Sequence, residues 1–160
     1  MTQLNLFGTD SSLDRARKYV QANLEDGCEC PCCGQNCKLY RRKLNSAMAA
    51  GLVWLVGEYG RTGQWVDIPN LAPRFLIKTG GQFSILVHWG LIEQKINEDT
   101  SKRCSGLWRP TPAGQGFVLR GSAVPRHVFL YNNTCDGFSD ERTTVIEALS
   151  DRFDYAELMA

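Results

Sequence analysis

Histidine is scarce in this chain, with two in 160 residues, His88 and His127. That scarcity argues against the open, His-rich site in which a catalytic zinc works, and no H-x-E partner is present. A phosphate-cradling glycine loop is also missing, and no nucleophile is flanked by an obvious base. Asp136, Asp140 and Glu141 lie close together in sequence, but such a group in a loop reads as solvated surface. The expectation is a protein that is not an enzyme. No apolar run approaches the roughly 20 residues that span a bilayer. The longest, residues 47–56, is interrupted by Gly51. The opening Met1-Thr2-Gln3-Leu4-Asn5 lacks the basic and then apolar pattern of a secretory signal. A soluble cytoplasmic protein with no membrane partner is expected, without repeats or low-complexity segments.

What is present suits one folded domain with an accessory element: 43% hydrophobic and 22% charged residues over 160 positions. The formal net charge of +1 hides a division along the chain. From Lys38 to Arg126 there are 13 Lys and Arg against 5 Asp and Glu, a local net of +8. Residues 1–37 carry 3 basic and 5 acidic residues, and the stretch from Thr134 onward carries 2 and 7. A basic centre attracts polyanions through counterion release. The plainer reading of the same charges is a set of solvated faces, and the acidic tail can neutralise part of them.

Five of the seven cysteines fall within Cys28-Glu29-Cys30-Pro31-Cys32-Cys33-Gly34-Gln35-Asn36-Cys37. Inside this run Cys30-Pro31-Cys32-Cys33-Gly34 has the C-P-x-C-G form of a knuckle. Two thiolates three positions apart, with a glycine to close the turn, grip one metal ion from a short loop. Backbone N–H groups of that turn stabilise the sulfur charge. Soft thiolates in tetrahedral array favour zinc, so structural Zn2+ on Cys28, Cys30, Cys33 and Cys37 is expected. Cys32, Cys104, Cys135, His88 and His127 remain alternatives for the third and fourth ligands. Disulfides and an iron–sulfur cluster use the same side chains and stay open as readings.

The expected elements follow from spacing and capping. Ser11-Ser12-Leu13-Asp14 has capping-box form, with Leu13, Ala16, Val20 and Leu24 at helical spacing up to Gly27. A second helix is expected from Arg42 to Tyr59, closed by Gly60, which puts Arg41, Arg42 and Lys43 at its entrance, where cations oppose the helix dipole. Residues 65–68 read as a strand ended by Pro69, and residues 71–78 as one helical turn. Residues 82–89 read as a helix ended by Gly90. A strand over 91–96, a polar loop over 98–105 and a returning strand over 106–109 come next. Thr111 and Pro112 then open a further helix as N-cap and first helical residue. Residues 124–131 have strand composition, with turns at Asn132-Asn133 and around Asp136-Gly137. Thr144-Val145-Ile146-Glu147 leads a helix with Ile146, Leu149 and Phe153 inward, and Asp154 caps a last turn.

Gly90-Leu91-Ile92-Glu93 and Arg109-Pro110-Thr111-Pro112-Ala113-Gly114 together resemble the winged-helix domain of the multiple-antibiotic-resistance repressor class. In that class a recognition helix ends in such a Gly-Leu-Ile-Glu turn, and a two-stranded wing and a Leu-Thr-Pro-x-Gly-like helix start follow. Pro110 departs from the usual apolar residue. The resemblance covers residues 42–120. It implies an α+β fold: a winged helix-turn-helix core over 38–121, an N-terminal helix and cysteine knuckle over 1–37, and a C-terminal strand and acidic helical extension over 122–160. It also implies a recognition helix that presents Gln82, Ser84, Ile85 and His88 to double-stranded DNA, with Lys95, Lys102, Arg103 and Arg109 of the wing on phosphate. Arg74 and Lys78 stand beside them, and Arg41, Arg42 and Lys43 join the basic surface. None of the groove-facing residues is an Arg or Lys that pairs with guanine. A homodimer follows by analogy with the class.

The knuckle followed by Tyr40-Arg41-Arg42-Lys43-Leu44-Asn45-Ser46, with Val124-Pro125 and Arg152-Phe153-Asp154-Tyr155-Ala156-Glu157-Leu158, is similar to a group of small phage proteins. That similarity implies a phage or prophage origin and a bacterial host cytoplasm. Transcriptional or DNA-transaction regulation is the functional expectation. A non-enzymatic interaction module that docks on a host or phage protein is its rival, with Trp65, Trp89 and Phe138 as contact aromatics.

Overall fold

A computed structural model describes residues 12–160, a mixture of α-helices and short strands arranged as two compact units. The larger contains residues 42–128 and 137–160, and the smaller contains residues 12–41 together with 129–136.

The larger unit is built around one helix, α2 (Ser46–Thr62). The helix starts later than its apolar spacing suggests. Asn45 accepts the Met48 N–H at 2.9 Å and caps it, so residues 40–43 are free to form a strand, β3 (Tyr40–Lys43). Arg41, Arg42 and Lys43 therefore stand on that strand and not at a helix entrance, which removes the dipole argument for them. The far end is Gly63, left-handed at φ 64°, three residues beyond the expected stop at Gly60. Met48, Leu52, Val53, Leu55 and Val56 of α2 are buried, and each such side chain contributes about 1.5–3 kcal/mol through burial. Gly51 interrupts this apolar run for a reason of space. A Cβ there would lie 2.7 Å from Leu76 Cδ1 and 3.0 Å from Phe83 Cδ2.

Those two neighbours arrive on the elements that follow. β4 (Val66–Asp67) leads into α3 (Ile68–Leu71), which Asp67 caps, and then α4 (Arg74–Lys78) begins after Pro73. Residues Gly80–Trp89 form a 3-10 helix. At three residues per turn its side chains fall into rows. Phe83 and Leu86 are buried in the row that ends at half-buried Trp89. Gly90 at φ 69° ends the helix, and β5 (Ile92–Gln94) runs out to the loop of residues 95–106. β6 (Leu107–Pro110) returns, and the sheet order is β4-β6-β5, antiparallel throughout. The register pairs Val66 with Trp108 and Glu93 with Arg109.

α5 (Pro112–Leu119) starts as expected, with Thr111 accepting the Gly114 N–H at 3.1 Å. Gly114 is a close-approach residue, because a Cβ there would collide with the Leu91 carbonyl oxygen. Residues 124–131 are two strands instead of one: β7 (Val124–Pro125) and β8 (His127–Tyr131). β9 (Thr134–Phe138) follows the Asn132-Asn133 turn, whose positive φ angles of 48° and 59° match a type I′ hairpin. β9 continues through Gly137, where a break was expected. That glycine takes φ 140°, which lets the strand bend without ending. β3, β8 and β9 form one sheet in that order, and β10 (Arg142–Thr143) pairs with β7.

The capping box at Thr144 and Glu147 is present and starts α6 (Val145–Leu149). Its inward residues are Val145, Ala148 and Leu149, while Ile146, expected inside, is 60% exposed. The helix is a single short turn, so the residues one turn apart that face α2 are 145, 148 and 149. Asp154 caps α7 (Tyr155–Met159), and α7 packs against α2.

The smaller unit holds α1 (Leu13–Ala22), the hairpin of β1 (Cys28–Glu29) and β2 (Asn36–Cys37), and the tip of the β8–β9 hairpin. Ser12 caps α1 by accepting the Arg15 N–H, and Ser11 lies outside the described residues. Among the described residues, Val20, Leu24 and Cys37 form its buried cluster, with Leu39 and Tyr131 packed on it.

Candidate functional site: a cysteine hairpin and a basic loop

The hairpin places Cys28 and Cys37 as direct partners across the two strands. At its tip, Gly34 N–H donates to Cys30 O at 2.8 Å, and Cys30 N–H donates to Gln35 O at 2.7 Å. These bonds wrap residues 30–35 into a turn in which the Cys30 sulfur accepts N–H bonds from Cys32 and Cys33 and a thiol bond from Cys33. The same bonds hold the Cys30 thiol below its ordinary range. Cys28 is pushed up, first by burial and then by the neighbouring sulfurs of Cys37 and Cys30. Cys32 is raised by burial and by Cys30. Tyr131, from the β8–β9 hairpin, bonds to Cys37, and this with burial raises its phenol.

Cys28, Cys30, Cys33 and Cys37 are thus gathered on one hairpin, with Cys37 buried and Cys33 exposed. Among the described residues, no three His, Cys, Asp or Glu side chains stand in a ready-made metal-holding group. All seven cysteines are free thiols. An open groove of about 460 Å³ runs beside the turn. The α1 stripe of Leu13, Ala16, Val20 and Leu24 lines it, together with Cys30, Cys32 and Tyr131.

In the larger unit, the residues expected to face nucleic acid divide by what they already hold. Gln82 accepts a bond from Asn45 Nδ2 at 3.0 Å, tying the 3-10 helix to the start of α2. Ser84 Oγ donates to Gly81 O at 2.6 Å, and His88 and Ile85 are half-buried. Arg109 is committed within the sheet: its Nε pairs with Glu93, and its guanidinium lies 4.2 Å over the Trp65 ring. Lys95, Lys102 and Arg103 are exposed on the β5–β6 loop, and Arg74 and Lys78 are exposed on α4. Lys102 is 4.0 Å from Asp99, whose carboxyl is held low by bonds from Ser101 Oγ and N–H. Arg42 and Lys43 are exposed on β3, as is Arg41, which belongs to the smaller unit. Of the three contact aromatics, Phe138 is exposed, while Trp65 and Trp89 are half-buried. Trp89 Nε1 donates to Pro125 O at 2.7 Å.

No family model, curated protein or solved structure matches the chain. Among the described residues, no helix is long and apolar enough to cross a membrane. Two residues stand at the candidate sites without a sequence signal of their own. Tyr131 reaches Cys37 only through the hairpin that carries it, and Asn45 reads as an ordinary polar residue until its two bonds are seen.

Proposed function

We propose that the larger unit is a winged helix that binds double-stranded DNA largely through its phosphates, and that the cysteine hairpin holds a structural zinc ion. The observation that carries the first part is the β4-β6-β5 sheet. A helix, a short strand, two further helical turns and the 3-10 helix precede β5, and a basic loop separates β5 from β6. In this reading the 3-10 helix is the recognition element and the loop is the wing. The exposed cations lie on the wing, α4 and β3, while the 3-10 helix offers no free Arg or Lys. Cations on phosphate position a protein without specifying sequence, so the reading is a DNA-transaction or transcriptional regulator with modest base discrimination.

Titration of a mixed-sequence duplex at low and moderate salt tests it. Binding that weakens steeply, with a log–log slope near −0.9 per phosphate neutralised, is expected. Absence of binding at both salt levels overturns it.

The zinc reading is supported by the N–H bonds to the Cys30 sulfur and by the Cys28–Cys37 pairing. Among the described residues the buried cluster of this unit is small, and structural metals commonly make up such a deficit. Elemental analysis of purified protein is expected to find one zinc per chain, bound by sulfur at about 2.3 Å. Iron with sulfide in its place would transfer the site to a cluster.

One observation favours a second reading, a module that docks on a host or phage protein. Val87 on the 3-10 helix, Ile77 on α4 and Leu71 on α3 are large, exposed and apolar, where a DNA-facing surface is usually polar. Failure to bind duplex, beside co-purification of one defined partner protein, would replace the DNA reading with this one. Light scattering decides whether the chain forms the homodimer expected by analogy.

A further inference from the structure

We infer that residues 80–89 are a latched two-state element, a 3-10 helix in the free chain that rewinds into an α-helix when duplex DNA engages it. The coupling to DNA rests on the DNA-binding reading above. The 3-10 form here runs for ten residues, Gly80–Trp89, whereas runs beyond about four are uncommon because their hydrogen bonds are poorly aligned. Contacts from outside the helix therefore keep it stretched.

Two side-chain bonds do so, one near each end. Asn45 Nδ2 donates to Gln82 Oε1 at 3.0 Å, and Trp89 Nε1 donates to Pro125 O at 2.7 Å. Neither partner is free to follow. Asn45 caps α2 through the Met48 N–H, and Pro125 is paired with Arg142 in the β7–β10 ladder. The steps from Gln82 to Trp89 span about 14 Å in a 3-10 helix and about 10.5 Å in an α-helix. That mismatch is too large for a hydrogen bond to absorb, so an α-helix keeps at most one of the two latches. The last turn already stands between the forms: Gly90 N–H bonds both to the Val87 carbonyl, as in a 3-10 helix, and to the Leu86 carbonyl, as in an α-helix.

Rewinding also redistributes the side chains. In the 3-10 form Val87 is 44% exposed, in the outer row with Gly81 and Ser84. In an α-helix Phe83, Leu86 and Val87 fall at i, i+3 and i+4, so Val87 joins the two residues that are already buried. Ser84, Ile85 and His88 then share the opposite face. In the 3-10 form Ser84 and His88 stand in different rows, and Ile85 and His88 are half-buried. A duplex that meets Ser84 and His88 together binds the α form better, and that difference in affinity is what shifts the equilibrium.

The test uses the full isotope-labelled chain, free and with a mixed-sequence duplex at low salt, read by nuclear Overhauser contacts along residues 80–90. Contacts from a Cα–H to the amide two residues on mark a 3-10 helix, and contacts to the amide four residues on mark an α-helix. Free wild type is expected to show the first kind. The duplex-bound chain is expected to show the second, with the Trp89 indole N–H released to solvent exchange. Trp89→Phe keeps a ring and removes the donor. It is expected to rewind without duplex and to bind duplex about fivefold more tightly, the order of one net hydrogen bond. Gln82→Ala, at an exposed position, opens the other latch and leaves the α2 cap in place, and it is expected to rewind in the free chain as well. If duplex-bound wild type keeps the 3-10 contacts, the switch is overturned while DNA binding stands. If neither variant rewinds, the two bonds do not hold the helix and the inference falls whatever the duplex does. If wild type ignores the duplex, the DNA reading itself fails and the coupling with it.

Discussion

At the scale of single residues, two glycines and one cysteine carry the sharpest expectations. Gly114→Ala drives a methyl group into the Leu91 carbonyl, which also accepts the Thr111 N–H at 3.0 Å. Overpacking of this kind costs about 1–3 kcal/mol, and a lower urea midpoint at unchanged slope is the expected result. Gly51→Ala is expected to do the same with a smaller loss, since Leu76 and Phe83 are side chains that can shift. In protein stripped of metal, Cys30 is expected to alkylate with iodoacetamide at neutral pH faster than Cys28 or Cys32. Its thiol is held low by N–H bonds while theirs are pushed up, and the thiolate is the nucleophile. Peptide mass mapping gives the order. Equal rates at the three positions would mean that the turn is not formed without metal.

At the scale of elements, the caps were the most legible part of the sequence. Thr111 with Pro112, Thr144 with Glu147, and Asp154 all start helices where their residue types predict. So does the Asn132-Asn133 turn. A cap is a local bond between near neighbours, so residue type and spacing suffice to find it. α2 escaped the same logic because apolar periodicity runs through Leu44, which is buried although it precedes the helix. Only Asn45 marks the true start. Asn45→Ala is expected to lower stability by about 1 kcal/mol, the usual cost of losing such a cap. It also frees Gln82 from its bond, so a change in DNA affinity beside the change in melting temperature would report that bond. Ile146 misled for a related reason. Helical spacing fixes which residues share a face but not which face meets the core, and α2 lies on the side of Val145 and Leu149. In the cysteine hairpin, the knuckle motif was readable, but the Cys28–Cys37 pairing depends on strand register and the Tyr131 contact on a distant hairpin.

At the scale of the whole molecule, the divided charge and the divided chain each make a prediction. Replacing Lys95, Lys102 and Arg103 by Gln is expected to weaken duplex binding uniformly across sequences and to lower the salt slope by about one per residue that meets a phosphate. Chelation is expected to unfold the smaller unit while the larger keeps its core, which lies within 42–128 and 137–160. Amide exchange should then rise for residues 12–41 and 129–136 alone. Exchange rising throughout would show that the larger unit depends on the metal as well.

The contact between Tyr131 and Cys37 also bears on the order of events during synthesis. The cysteine hairpin leaves the ribosome before the aromatic residue that bonds to it, which follows about ninety residues later, several seconds behind at ordinary elongation rates. For that interval the thiols stand without their lid. Under the zinc reading proposed above, a nascent chain that takes up the ion in this window keeps the hairpin closed until the covering strand arrives, whereas one that does not leaves five cysteines open to oxidation and to its neighbours.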